Sequence, residues 1–303
     1  MKRAAFRADL ILLLVAVVWG SGFVAQQIAA KSMGPLTFNA LRYLVGFALV
    51  ATIILCRSHW KPTRSELLGG SVLGIIMAGA AWLQQAGIPN TTTARAGFFT
   101  GLYVLLVPIV GLAFGQRARF AHIAGAAVAA VGLWLLSGDI AGGLNPGDPL
   151  IIACAVLWAV HVVLIARLAP KADPLRLAAV QFAAVAVLSG LLVLPLEYDQ
   201  LGGIISGLLP MFYSGIFVIG IAFTLQIIGQ RSAPPTHAAV LMSMEAVFAA
   251  VFGFVLLREG LNAGEMLGCG LMLAGAVLSQ TWPHKRTPAE VLEYEKEWLQ
   301  KVE

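Results

Sequence analysis

Val17-Val18-Trp19-Gly20-Ser21-Gly22-Phe23 places a tryptophan mid-way along an apolar run, and Gly34-Pro35-Leu36 follows it. The same unit returns near the middle of the chain, where Trp158 sits in a second apolar run and Asp173-Pro174-Leu175 follows. Trp19 and Trp158 stand 139 residues apart, and so do Pro35 and Pro174. Leu83-Gln84 and Gly87 recur as Leu225-Gln226 and Gly229, 142 apart, and Gly125 and Gly132 recur as Gly268 and Gly275, 143 apart. Landmarks that keep their order at a nearly constant offset mark an internal duplication. The slow drift needs only a few loop residues added in the second copy.

The 303 residues are 59% hydrophobic and 12% charged, about half the charged share of a soluble domain. Mean hydropathy is +0.86. Such a chain has too little polar surface to coat a soluble globule. The net charge of +5 does not imply nucleic acid, because the basic residues lie in short clusters between apolar runs. Cys56, Cys154 and Cys269 are odd in number and far apart, without CxxC spacing. They read as small packing residues, neither disulfides nor metal ligands. Lys2, Arg3 and Arg7 precede an apolar run from Leu10 to Ala30. That run is longer than the 7–15 residues of a secretory signal core, so it reads as an uncleaved first span.

A span needs about 20 apolar residues. Ten stretches qualify, at approximately 10–30, 35–56, 67–87, 95–114, 120–137, 149–167, 175–195, 208–229, 236–257 and 263–282. None alternates as a membrane barrel strand would. With the N-terminus inside, fourteen basic residues fall on the inner side, from Lys2, Arg3 and Arg7 to Lys285 and Arg286. Only Lys31, Arg95 and Arg258 fall outside, where Asp139, Asp148, Glu197, Asp199, Glu259 and Glu265 collect. The positive-inside rule therefore puts both termini in the cytoplasm and the chain in the inner (plasma) membrane. Five spans per copy is odd, so the second copy enters the membrane upside down. The expected fold is an all-α integral membrane protein of ten transmembrane helices in two inverted five-helix repeats, residues 8–138 and 148–282. Inverted repeats of this kind belong to secondary transporters, with the substrate site near the midplane. A cytoplasmic tail, 283–303, carries Val291, Tyr294, Trp298 and Val302 at helical spacing. It is either an amphipathic surface helix or a solvated tail. Small-residue stripes such as Gly125-xxx-Ala129 and Gly264-xxx-Gly268 mark close helix contacts in the fifth and tenth spans. They serve either as internal scaffold or as homodimer contacts.

These residues resemble a known family. Trp-Gly-Ser-Gly-Phe in the first span and Pro-Leu-x-Phe-x-x-x-Arg entering the second (Pro35 to Arg42) carry the likeness. So do Leu-Tyr-Val-Leu-Leu-Val-Pro in the fourth (Leu102 to Pro108), Met-Glu-Ala-Val in the ninth (Met244 to Val247) and Leu-Leu-Arg-Glu after it (Leu256 to Glu259). Over about residues 8–282 the chain is similar to the EamA family of the drug/metabolite transporter superfamily. The resemblance implies an exporter of amino acids or other small metabolites. Gly115-Gln116 stands where the family commonly has Gly-Glu, and Glu245-Ala246 where it often has Glu-Pro. The second departure predicts a less kinked ninth helix.

Glu245 is the one acid near the middle of a span. Carboxylates at that depth cost about 2.5–3.5 kcal/mol on insertion scales and are functional candidates by default. It is a proton-coupling group, a contact for a substrate amine, or a hydrogen-bonded helix crossing. Arg42, about seven residues into the second span, either holds a substrate carboxylate through its planar fork or serves structure. Trp19 and Trp158, away from the interfacial belt, form a candidate stacking pair. Tyr103, His161 and Trp82 are further candidates for the same cavity. Gln26, Gln27, Gln84, Gln85, Gln181 and Gln226 put amides inside spans, and some of them, Gln26, Gln84 and Gln226 among them, are expected to line the pathway because a lipid-facing amide lacks partners. Arg95 reads as a structural anchor. No phosphate-binding G-x-x-x-x-G-K-[ST] occurs, and no cofactor is expected. The reading is a secondary transporter moving a small-molecule metabolite by alternating access, and not an enzyme. The competing reading is a multi-span enzyme acting on a lipid-linked intermediate. It would need paired catalytic groups, whereas His59, His122, His161, His237 and His284 are scattered along the chain.

Overall fold

The computed structural model describes residues 2–57, 60–115, 120–136, 143–260 and 262–281. The tail at 283–303, Gln116, His59, His284 and the basic residues Arg117, Arg119, Lys285 and Arg286 lie outside these, as does Asp139. The described chain is helical, and no strand occurs among the described residues. Eight helices are long and apolar enough to cross a membrane. They are α1 (Lys2–Ala29), α2 (Pro35–Arg57), α3 (Arg64–Gly87), α4 (Thr93–Ala113), α6 (Asp148–Leu168), α7 (Pro174–Glu197), α8 (Leu208–Gln230) and α9 (Pro235–Leu257). Two apolar helices are shorter, α5 (Phe120–Leu136) and α10 (Ala263–Thr281).

Local chemistry sets the ends. Pro35, Pro174 and Pro235 each open a helix, where a missing N–H is harmless. Thr63 and Glu66 form a capping box on α3, and Asn262 and Glu265 exchange the same pair of bonds on α10. Three of the acids read as outer-loop charges, Glu197, Glu259 and Glu265, turn out to be helix caps. Glu197, at the end of α7, accepts the N–H groups of Leu36 and Thr37 at 2.8 Å and the Thr37 hydroxyl at 2.9 Å. Glu259 accepts the N–H and hydroxyl of Thr93 at the start of α4. It reaches them because Arg258 takes a left-handed conformation, φ 59°, that folds the chain back. A carboxylate is stabilised at a helix N-terminus by the unpaired N–H groups and the helix dipole.

The outward surface is apolar: Leu191, Leu209 and Ile109 are all largely exposed. The polar residues lie inside, as a bilayer requires. Helix α1 packs on α9, α9 on α4 and α4 on α6, while α2 pairs with α7, and α5 with α10. Helices α3 and α8 flank the bundle, α3 against α6 and α7, α8 against α1 and α2. Individual contacts repeat at the sequence offset. Gly74 meets Ala184 and the Gln181 carbonyl, and Gly215 meets Val45 and the Arg42 carbonyl. Gly87 meets Ile151, and Gly229 meets Leu12.

Within the chain, α5 and α10 cross through their glycines. A methyl group on Gly125 would sit 2.7 Å from the Gly275 carbonyl oxygen, and one on Gly268 2.5 Å from that of Gly132. These stripes therefore act as internal scaffold at those four positions. Gly270, on the same helix, faces open space. Gly268→Ala is expected to lower the thermal unfolding midpoint in detergent, by an overpacking cost of about 1–3 kcal/mol. Gly270→Ala is expected to leave it unchanged or raise it, since alanine is the better helix former by about 1 kcal/mol. Equal effects would refute the packing assignment.

Candidate functional site

Helix α4 is interrupted at Leu102, where the Leu102 N–H turns back to the Phe99 carbonyl at 3.3 Å instead of continuing the α pattern. Helix α9 is interrupted at Ser243–Met244, with Met244 N–H bonded to the Leu241 carbonyl and Ala246 N–H to that of Ser243. This break forms without a proline, and the Ser243 hydroxyl bonds the Val240 carbonyl beside it. Tyr103 and Glu245 follow the two breaks, 142 residues apart. Interrupted spans at corresponding positions of two halves are where transporter sites are built. Helix α8 is widened to π geometry over Ser214–Phe223, a local irregularity frequent at functional sites.

The breaks border one small cavity of about 40 Å³, room for a few waters in this conformation. Its walls include Trp19, Gln26, Arg42, Gln84, Tyr103, Trp158, Gln226 and Glu245. Eight candidates from seven different spans therefore converge. His161 does not line the cavity. It stands behind the wall, edge-on to Trp158 at 5.6 Å, with Nε2 3.1 Å from Gln181 Oε1. Trp82 is half exposed on the outer surface, in an apolar groove with Leu36 and Leu192.

Phe223 is the principal residue that sequence reading missed. It lies between the two tryptophans, 4.7 Å from the Trp19 ring and stacked on Trp158 at 5.6 Å and 27°. Its equivalent in the first half is Ala81, so the search for matched pairs passed over it. Phe23, Tyr43, Thr100, Val162 and Val218 also line the cavity. As hydrophobic or hydroxyl residues in a membrane helix, they carry no signal that separates wall from core.

The polar walls are not satisfied by protein alone. Among the described residues, Trp19 Nε1, Trp158 Nε1, Tyr43 Oη, Gln26 Oε1 and Gln226 Oε1 are buried without a hydrogen-bond partner, and Tyr103 Oη and Glu245 Oε1 have only each other's side chains nearby as partners. Each such group costs about 1–3 kcal/mol unless something else bonds it. The amides away from the cavity are bonded through their NH₂ groups, although Gln85 Oε1 and Gln230 Oε1 are also unpartnered. Gln27 Nε2 donates to the Ile88 and Thr91 carbonyls, Gln85 Nε2 to Gln26, and Gln230 Nε2 to Val162. Gln84 donates to the Thr100 hydroxyl at 3.0 Å.

The charges are the sharper feature. Arg42 is buried, its Nε donates to Asn39 Oδ1 at 2.9 Å, and its guanidinium lies 4.8 Å from the Phe38 ring centre and 5.2 Å from that of Tyr43. Glu245 is buried beside the Tyr103 hydroxyl. No ion pair among the described residues includes either of them. One cavity thus presents an unpaired guanidinium, an unpaired carboxyl and an aromatic wall.

Sequence comparison places these features in a class: multi-span membrane transporters. The EamA-like transporter family matches residues 6–138 and 145–281, and the chain belongs to that family. It is 30% identical over 273 residues to an uncharacterized transporter of Archaeoglobus fulgidus, covering 89% of this chain and 85% of that one. It is 30% identical over 287 residues to the aromatic amino acid exporter YddG of Ancylobacter novellus, covering 90% and 96%. A solved crystal structure 26% identical in sequence superposes with a TM-score of 0.76 over 90% of this chain and 96% of that chain.

Arg42 can be tested as a binding group by removing its charge. A buried, unpaired ion does not stabilise a fold. Arg42→Met is therefore expected to leave the unfolding midpoint within about 3 °C of the parent, a change of about 1 kcal/mol. A fall of more than about 6 °C would assign the side chain to structure.

Proposed function

We propose that the protein is a secondary transporter that exports a small zwitterionic metabolite, foremost an amino acid with an aromatic side chain, across the inner membrane by alternating access. Arg42 takes the carboxylate, Glu245 takes the ammonium or a coupled proton, and Trp19, Phe223 and Trp158 stack on the side chain. One observation carries this reading: an unpaired guanidinium and an unpaired carboxyl face one mid-span cavity with a triple aromatic wall. A zwitterion with a planar side chain satisfies all three elements at once. The exporter activity of the Ancylobacter relative supports the same class.

In this reading α1 to α10 all span the bilayer, with α5 and α10 as its two shortest crossings. Residues 8–138 and 148–282 are inverted repeats, and both termini are cytoplasmic. The support is the contact pattern, in which α3 on α6 and α7 corresponds to α8 on α1 and α2.

Counterflow in proteoliposomes tests the proposal. Labelled L-tryptophan or L-phenylalanine is expected to accumulate against its unlabelled twin. Trp158→Ala is expected to reduce that exchange about tenfold, the equivalent of about 1.4 kcal/mol, at unchanged protein yield. Glu245→Gln is expected to abolish the movement of an internal pH dye. Exchange of a nucleobase in place of any amino acid would overturn the zwitterion assignment.

A further inference from the structure

Two ion pairs at opposite ends of the bundle are equivalents under the sequence offset. Arg95 and Asp148 join the start of α4 to the start of α6. Asp9 and His237 join the start of α1 to the start of α9, at 2.9 Å. Asp9 precedes Asp148 by 139 residues, the interval of the tryptophans, and Arg95 precedes His237 by 142, the interval of Gln84 and Gln226. In each pair the acid sits on the first helix of one half and the base on the fourth helix of the other. Both are engaged together, with the cavity between them.

The two pairs differ in chemistry. The outer base is a guanidinium, charged at every working pH. Its Asp148 partner is fully buried and also accepts the Thr91 hydroxyl and the Asn145 N–H. The inner base is an imidazole, whose ordinary titration range is near neutrality. Its Asp9 partner is one-fifth exposed, so water reaches the pair. His237 Nδ1 lies 2.8 Å from Ser279 Oγ on α10, and the ring of His122 on α5 stands 5.3 Å away.

We propose that Asp9 and His237 form a proton-binding latch on the cytoplasmic end, the titratable counterpart of a permanent outer latch at Arg95 and Asp148. The inference rests on the alternating-access reading and not on any substrate. Opening the cavity inward requires α1 and α9 to part at this end. A protonated His237 holds Asp9 with charge, and loss of the proton leaves only a neutral hydrogen bond. Cytoplasmic protons therefore favour the closed inner end. Among the described residues, the charged and titratable groups facing His237 are Asp9 on α1 and His122 on α5, and Ser279 on α10 supplies a neutral hydroxyl. Of the other neighbours, the inner half of α4 brings no charge, Arg167 on α6 donates to the Phe114 carbonyl, and Arg231 after α8 is exposed. Asp9, His237 and Ser279 have the connectivity of a hydrolytic triad, but the outer counterpart holds an arginine and no serine, which a gate explains and a triad does not.

Dipolar EPR reads the two ends without substrate. In a background lacking Cys56, Cys154 and Cys269, spin labels at Phe6→Cys and Ser232→Cys report the inner end, and labels at Asn90→Cys and Leu144→Cys the outer end. Raising the pH from 5.5 to 8 is expected to increase the separated population at the inner end about threefold, the scale of a partly exposed ion pair, and to leave the outer end without its own transition. His237→Arg is expected to hold the inner end closed throughout. Asp9→Asn is expected to raise the open population at pH 5.5 and flatten the profile. Arg95→His is expected to move a pH response to the outer end. An unchanged inner transition in both His237→Arg and Asp9→Asn would overturn the latch while leaving alternating access intact. An inner end that never opens, beside an outer end that does, would also overturn it. No separation at either end under any condition would remove both readings.

Discussion

Hydrocarbon offers no hydrogen-bond partners, and that absence arranges most of this molecule. Every amide, indole and charge within a span must bond inside the protein or face a cavity that admits water or solute. Single side chains can show both outcomes, as Gln85 and Gln230 do: their NH₂ groups are bonded while Oε1 has no partner. Gln27, Gln85 and Gln230 give their NH₂ groups to carbonyls of neighbouring helices and act as staples. Gln26, Gln226 and the two central tryptophans keep unpartnered atoms on lining residues. The same constraint explains the carboxylates at the helix ends. Glu197 and Glu259 each satisfy N–H groups that the first turn of a helix leaves unpaired.

Close backbone approach makes that sorting possible. Gly74 and Gly215 let α3 approach α7 and let α8 approach α2, each against a carbonyl that a larger residue would block. The pairs α3–α7 and α2–α8 flank the cavity, and they bring Gln181 and Arg42 to equivalent places in α7 and α2. Gln181 is bonded to His161 behind Trp158 and steadies that ring. Arg42, at the matching position, carries a full charge into the cavity wall. Closely packed walls thus stand on one side of the site and the interrupted helices α4 and α9 on the other.

Much of this was legible from composition and spacing. The apolar runs predicted the helices to within a few residues, and the offset from Trp19 to Trp158 predicted which residues would be equivalents. Trp19, Tyr103, Trp158 and Glu245 could be picked out because mid-span tryptophan, tyrosine and carboxylate are uncommon and stand out singly. Phe223 could not, since phenylalanine is ordinary in a membrane helix and its role depends on a π stretch that no residue type announces. Trp82 was misjudged for the opposite reason: it is conspicuous in sequence, but its helix face points to lipid. His237 looked isolated because its partners, Asp9 and Ser279, lie 228 and 42 residues away. A break in α9 without proline was equally hidden, since it rests on the Ser243 side chain and local three-residue bonding.

The positions where the two halves differ are more telling than those where they agree. The agreements, glycine for glycine and tryptophan for tryptophan, build a frame whose two ends are equivalent. Distinct chemistry enters through the mismatches: Arg42 against Gln181, Tyr103 against Glu245, Ala81 against Phe223, and Arg95 against His237. Two of these four put a charge or an aromatic ring at the cavity on one side only, and a third sets a phenol against a carboxyl there. The fourth puts a titratable base at one end and a permanent cation at the other. Duplication supplies a matched frame, and substitution in one copy alone places different chemistry at matched positions.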